Sequence, residues 1–97
     1  MNIVSNNWIY QIKECLKKGD YTSVINIYKS LINDNPNILN NYWYLGLYLV
    51  LDGQEIEAQM IWMLAISKIK NDKLEFYLNE LIDILENEAS KRESTEN

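Results

Sequence analysis

The sequence predicts an all-helical fold made of two helical hairpins and one closing helix. Three observations support this prediction. Apolar residues recur at the three- and four-residue spacing of helices along most of the chain. The turn residues Gly19 and Gly53 lie 34 residues apart, which indicates an internal repeat. Pro36 falls between the two units, and because proline has no backbone N–H it ends the helix before it.

The first unit spans residues 5–38 and is predicted to contain helices at 5–18 and 21–34. The break between them falls at Gly19. Asp20 is the expected N-cap of the second helix, because its carboxylate can accept the free N–H groups of the first turn. The apolar residues of both helices keep helical spacing, and they are Trp8, Ile9, Ile12, Cys15, Leu16, Val24, Ile25, Ile27, Tyr28, Leu31 and Ile32.

The second unit spans residues 39–72, with helices predicted at 39–51 and 55–70. The dipeptide Asp52-Gly53 forms the turn between them. Both helices are apolar nearly all round, whereas an exposed helix would keep one polar stripe. We therefore expect something beyond the hairpin to cover the surplus apolar surface.

The closing helix is predicted at residues 73–90, and residues 91–97 form a polar tail. The tail is expected to fray from Ala89 onward. One apolar stripe runs along the helix with acidic residues opposite, and it consists of Leu74, Tyr77, Leu78, Leu81, Ile82 and Leu85.

A spaced set of residues in the second unit follows a known pattern: Tyr42, Leu45, Gly46, Leu49, Gly53, Ala58, Trp62 and Ala65. With these residues the unit resembles the tetratricopeptide repeat (TPR) family. The first unit is similar but degenerate, since Trp8, Gly19 and Pro36 keep the register while Gln11, Ile12, Val24 and Leu31 depart from it. The closing Pro of the family is replaced by Lys70, so the next connection is expected to be longer or more helical. The resemblance covers about residues 5–88, and it implies a superhelical array that binds proteins and is not an enzyme.

The resemblance also implies an inner groove, lined by the first helix of each hairpin and one face of the closing helix. By register the groove positions are Asn6, Ile9, Lys13, Leu16, Asn40, Trp43, Leu47, Val50, Leu74, Tyr77 and Leu81. They are largely apolar, so either an apolar helix or strand of a partner occupies the groove, or the closing helix fills it. Family members that grip the C-termini of chaperones use Lys, Asn and Arg at five inner places. Those places hold Ile9, Lys13, Tyr44, Leu74 and Leu78 here, so no carboxylate clamp is expected.

The predicted binding surface combines groove positions with the surplus apolar surface of the second unit. It comprises Ile9, Lys13, Trp43, Leu47, Val50, Trp62, Met63, Leu74 and Tyr77. A second copy of the chain, an adjoining domain or a separate protein could cover it. Self-association is the favoured expectation, because it needs no further component and the core of a chain of 97 residues is thin.

The segment from Tyr42 to Ile66 also resembles short repeat segments at the N-termini of bacterial, especially cyanobacterial, multidomain proteins that carry a glycosyltransferase or methyltransferase domain. This resemblance implies an alternative. The chain would be a regulatory or oligomerisation module of a larger enzyme whose catalytic residues lie elsewhere.

No motif predicts an enzyme, a cofactor or a metal site. The chain has no histidine, which removes the usual general base and the commonest metal ligand. Cys15 could act as a nucleophile, but it belongs to the apolar helical series and is predicted to be a core residue. The three Trp and seven Tyr could stack on bases or sugars, yet Tyr28, Tyr42 and Trp62 occupy repeat-core positions.

Charge and hydropathy bear on the partners and the location. Residues 1–51 hold four Lys and three acids, whereas residues 52–97 hold five Lys or Arg and eleven acids, for a net charge of −5. An acidic chain is not expected to bind nucleic acid or anionic membranes.

The longest apolar run, from Tyr42 to Leu51, is half a membrane span. No signal peptide is recognisable at the N-terminus and the single cysteine forms no intrachain disulfide, so a cytoplasmic location is expected.

Overall fold

The computed structural model describes the backbone of residues 3–96 and the side chains of residues 8–91. Within that range the chain is all-helical, as predicted. The elements are α1 (Ile3–Lys17), α2 (Tyr21–Asp34), α3 (Leu39–Leu51), α4 (Glu55–Ser67), a short 3-10 turn (Asn71–Lys73) and α5 (Leu74–Glu96). Helix α1 packs on α2, α2 on α3 and α3 on α4, and α5 folds back onto α3. The fold therefore consists of two helical hairpins and a closing helix.

The two hairpins turn in the same way. In the first, the N–H groups of Gly19 and Asp20 donate to carbonyls of α1 at 3.1 and 2.9 Å. In the second, the N–H groups of Gly53 and Gln54 donate to carbonyls of α3 at 3.0 and 2.8 Å. Both glycines are left-handed, with φ of 71° and 83°. A helix end of this kind favours glycine, because in the left-handed conformation any other residue brings its Cβ too close to the following backbone carbonyl. The two hairpin turns are thus geometrically equivalent at the 34-residue spacing.

Helix α2 begins and ends where its sequence signals lie. Asp20 caps its N-terminus by accepting from the backbone N–H of Ser23 at 3.1 Å and from the Ser23 hydroxyl at 2.6 Å. These hydrogen bonds hold the pKa of Asp20 below its ordinary value. The helix ends at Asp34, two residues before Pro36. The carbonyl of Pro36 accepts a hydrogen bond of 2.8 Å from the Tyr42 hydroxyl, which fastens the connection to α3.

Helices α4 and α5 differ from the predicted bounds. Helix α4 ends at Ser67 instead of residue 70. The Ser67 hydroxyl donates to the carbonyl of Leu64 at 2.6 Å, and the N–H of Lys68 bonds to Ala65 instead of continuing the α-helical pattern. Helix α5 continues to Glu96 rather than ending at 90, because no Gly or Pro interrupts residues 89–96. The side chains of the predicted tail from residue 92 lie outside the described part.

The core consists of two clusters that share α3. The first lies between α1, α2, α3 and the start of α4 and includes Ile12, Val24, Ile25, Tyr28, Leu45, Leu47, Tyr48, Leu49 and Ala58. The second, which we call the tryptophan cluster, consists of Tyr42, Trp43 and Ala65 with Trp62, Ile69, Tyr77, Leu81 and Ile84 packed around them. Gly46 permits the close approach of α3 and α4, since a Cβ added there would fall on the indole of Trp62.

Candidate protein-binding surface

The predicted groove is covered by the closing helix. Tyr77, Leu81 and Ile84 of α5 pack against the tryptophan cluster. Trp43 is completely buried, and Leu47 is only 5% exposed. The assignment of these two residues to a partner-binding surface is therefore corrected: they are core residues. The physical reason is that Tyr77, Leu81 and Ile84 of α5 occupy the face of α3 on which a guest would lie, whereas Ile82 of the predicted stripe is 48% exposed.

Other predicted surface residues take part in the same packing. The Trp62 indole N–H donates to the carbonyl of Trp43 at 3.2 Å, which ties α4 to α3. Val50, Leu74, Trp62 and Tyr77 are half-buried. The structure thus brings Trp43, Trp62 and Tyr77 together as parts of one cluster. A partner could reach only the outer edges of these half-buried side chains.

The remaining predicted residues lie apart from this cluster. Ile9 and Lys13 are exposed on α1, and the side chain of Asn6 lies outside the described residues. Met63 is 68% exposed on the outer side of α4. The exposed residues of the predicted surface therefore do not form one continuous site, because they lie on the outer faces of two separate helices, α1 and α4.

The largest exposed apolar feature on one helix is a row on the outer side of α4. Ile56 is 77% exposed, Met60 64% and Met63 68%. Their spacing of four and then three residues places them on one helical face. We call these three residues the α4 stripe. Leu64 and Ile66 flank it and are 48% and 37% exposed. Exposed apolar rows of this kind mark interaction sites more often than isolated apolar residues do.

Two residues of the α4 stripe, Ile56 and Met60, are absent from the predicted surface. The signal for them is present in the sequence as the spacing from Ile56 to Met63. This spacing does not identify the exposed face, because α4 is apolar nearly all round and its pattern does not show which side faces inward. The contacts decide it: Ala58 and Ala65 are the buried residues of α4, and they face α3.

The electrostatics of the α4 stripe are simple. Residues 58–67 carry no ionisable side chain. Glu55 and Glu57 lie at the N-terminal end of the helix, where their charge is favourable to the helix dipole. Glu57 also forms a salt bridge of 3.2 Å with Lys29 of α2. The centre of the stripe is therefore neutral in a chain with a net charge of −5.

Three tyrosines stack on one another between α2 and α3, and two of them, Tyr44 and Tyr48, also line a half-open cavity between α3 and α5. The ring of Tyr28 stacks on those of Tyr44 and Tyr48, with centroids 5.7 and 6.0 Å apart. Burial, with a smaller contribution from the charge of Glu88, raises the pKa of Tyr48 to about 12. Tyr48 therefore stays protonated at neutral pH. Because these rings lie on one another, their faces serve packing.

Cys15 is half-buried against the first core cluster, in the apolar environment predicted for it. Among residues 8–91, no group of His, Cys, Asp and Glu side chains is placed to hold a metal ion. None of the helices within the described range combines the length and apolar character that a bilayer crossing requires.

Comparison with known proteins gave no match: no family model, curated protein or solved structure is similar to the chain.

Proposed function

We propose that the chain is a non-catalytic interaction module of the tetratricopeptide type, which binds an apolar helix through the α4 stripe, and that the bound helix belongs to a second copy of the chain. The observation that supports this proposal is the exposure of about two thirds or more of Ile56, Met60 and Met63 on one helical face. The closing helix covers α3, so α4 is the helix that still presents apolar surface.

The size of the stripe suits a weak or moderate dimer. Burying a side chain of this kind completely contributes about 1.5–3 kcal/mol relative to leaving it in water. In a twofold dimer each of the three residues counts twice. The total is of the same order as the roughly 4–15 kcal/mol that association costs in lost freedom of motion. Since the gain and the cost are of the same order, the net gain is small, and we expect a weak dimer that forms only as the protein concentration rises.

The neutral centre of the stripe favours a second copy as the occupant. Two chains of net charge −5 repel each other over most of their surfaces. Residues 58–67 bring no like charges together, so this is a face on which two copies can meet. A twofold interface uses the same patch on both partners, and flexible methionines adapt to such self-contact.

Light scattering coupled to gel filtration, over about 10–300 μM protein, tests this proposal. The wild-type mass should rise above 11.5 kDa with concentration. Met60→Glu should keep the mass at the monomer value, because two carboxylates would face each other in an apolar contact. Tyr10→Glu is the matched control, since Tyr10 on α1 is also 64% exposed. It should associate like the wild type.

A wild-type chain that stays monomeric throughout would exclude the second copy. The alternative function, a module of a larger glycosyltransferase or methyltransferase, would then account for the stripe through an adjoining domain. The coding sequence beyond Asn97 distinguishes the two. The alternative would be favoured if a catalytic domain is encoded downstream. It would be favoured further if expression of both parts together protects Met60 and Met63 from oxidation.

A further inference from the structure

A second feature of the molecule, away from the α4 stripe, is a half-open cavity of about 360 Å³ beside the connection between α4 and α5. Asn37 from the α2–α3 connection and Leu39, the first residue of α3, line one side. The other side is lined by Lys68, Ile69, Lys70, Lys73 and Tyr77. Three of the nine basic residues of an acidic chain thus surround one cavity.

The floor of the cavity is apolar and firmly supported. Leu39, Ile69 and Tyr77 all pack against the tryptophan cluster. These three side chains are partly buried, so the floor is attached to the core through this cluster. A volume of 360 Å³ lies at the lower end of the range of about 300–1,000 Å³ that is typical of small-molecule sites.

The lysines at the rim form no salt bridge with a carboxylate among the described residues. Among the described residues, the salt bridges join Glu14 to Lys17 and Lys29 to Glu57, and none involves Lys68, Lys70 or Lys73. Asp72, which lies between two of these lysines in sequence, does not line the cavity. Lys68 instead places its ammonium 5.9 Å from the centre of the Tyr42 ring, a cation–π contact.

Neighbouring positive charges that form no salt bridge favour a bound anion. We infer that this cavity binds a phosphate monoester, with the phosphate held by Lys68, Lys70 and Lys73 and a small apolar body lying on Leu39, Ile69 and Tyr77. A phosphate is favoured over a carboxylate because a monoester carries a charge of about −1.5 to −2 at pH 7, which suits three cations better than a single charge. Lysine binds phosphate as a point charge, without the planar geometry that an Arg–carboxylate pair requires.

Phenyl phosphate is a suitable probe, and backbone amide NMR of the full chain is the measurement. Saturable shifts are expected for residues 68–77 and 37–39. The double variant Lys70→Gln/Lys73→Gln should bind about tenfold more weakly or worse, because charge-assisted hydrogen bonds to the phosphate are lost. Lys17→Gln/Lys18→Gln is the matched control, since it removes the same charge at the α1–α2 turn. It should bind like the wild type.

Two further probes separate the contributions that the charge of the ligand and the apolar floor of the cavity make to binding. Inorganic phosphate should bind more weakly than phenyl phosphate because it leaves the floor empty, and benzoate should bind more weakly because it carries a single charge. The inference is overturned if phenyl phosphate gives no saturable shifts, if the two double variants weaken binding equally, or if benzoate binds as tightly as phenyl phosphate. Circular dichroism of each variant verifies that the helices are retained.

Discussion

Helices α3 and α4 are the two most apolar helices of the chain, yet α3 buries seven of its 13 residues and α4 only two of its 13. The difference follows from their neighbours. Helix α3 has α2, α4 and α5 packed around it, whereas α4 packs mainly on α3. Two helices of similar hydrophobicity thus become a core helix and a surface helix because of their places in the stack. The excess apolar surface remains on the helix that has the fewest neighbours.

The largest expected change in stability comes from replacing one bulky residue in each helix. Trp43→Ala should lower the free energy of unfolding by about 3–5 kcal/mol, because it leaves a cavity in the tryptophan cluster. Met63→Ala should change it by no more than about 0.5 kcal/mol, since Met63 is largely exposed. Urea denaturation at low protein concentration measures both without a contribution from association. Equal effects would show that α5 does not cover α3 in solution.

The second test concerns the close contact between the two helices. Gly46→Ala places a methyl group on the indole of Trp62, so overpacking should cost about 1–3 kcal/mol. Alanine is a better helix former than glycine by about 1 kcal/mol, which offsets part of this cost. The net effect should still be destabilising. In a Trp62→Leu background the same change should cost less, and an equal cost in both backgrounds would contradict the contact.

The third test strengthens the start of the surface helix. Gln54 begins α4 without a side-chain cap, at the place that Asp20 occupies 34 residues earlier. Gln54→Asp should raise the free energy of unfolding by about 0.5–1 kcal/mol. Repulsion from Glu55 and Glu57 reduces the gain. Thermal unfolding measures the change, with Asp20→Ala as the opposite case, which should lower the melting temperature. A Gln54→Asp variant that melts at a lower temperature than the wild type would show that α4 does not begin at this position.

The smallest expected effect is a pH dependence at the cap of α2. The pKa of Asp20 is lowered in the folded state by its hydrogen bonds to Ser23. Its stabilisation is therefore present above the unfolded pKa of about 3.8 and is lost as the pH falls through the lower folded pKa. Asp20→Asn keeps a capping group that does not titrate. The melting temperature of the wild type relative to this variant should be constant well above the unfolded pKa of 3.8 and should fall as the pH is lowered below it. A constant difference would contradict the lowered pKa.

Much of the fold was accessible from local sequence signals. The positions of the first three helices follow from Gly19, Asp20, Pro36 and Gly53, because each acts on the backbone within a few residues of itself. The ends of α4 and α5 were predicted wrongly. Ser67 ends α4 through a side-chain hydrogen bond to Leu64, and serine within an apolar run is a weak signal for a helix end.

Of the predicted surface, the structure leaves Met63, Ile9 and Lys13 exposed and buries Trp43 and Leu47. Helical spacing shows which residues share a face when the helix has one polar side. In α3 and α4 the apolar residues surround the helix, so their spacing does not show which side of the helix faces the core.

The residues alone thus determine that the chain forms two equivalent hairpins and a closing helix, since capping, turn geometry and apolar spacing are properties of short segments. Only the tertiary structure decides that α5 covers Trp43, that the α4 stripe remains exposed, and that three lysines meet the α2–α3 connection at one cavity. The physical reason is that burial depends on which distant segments come into contact. Residues 37 and 77, for example, line the same cavity although they lie 40 positions apart in the chain.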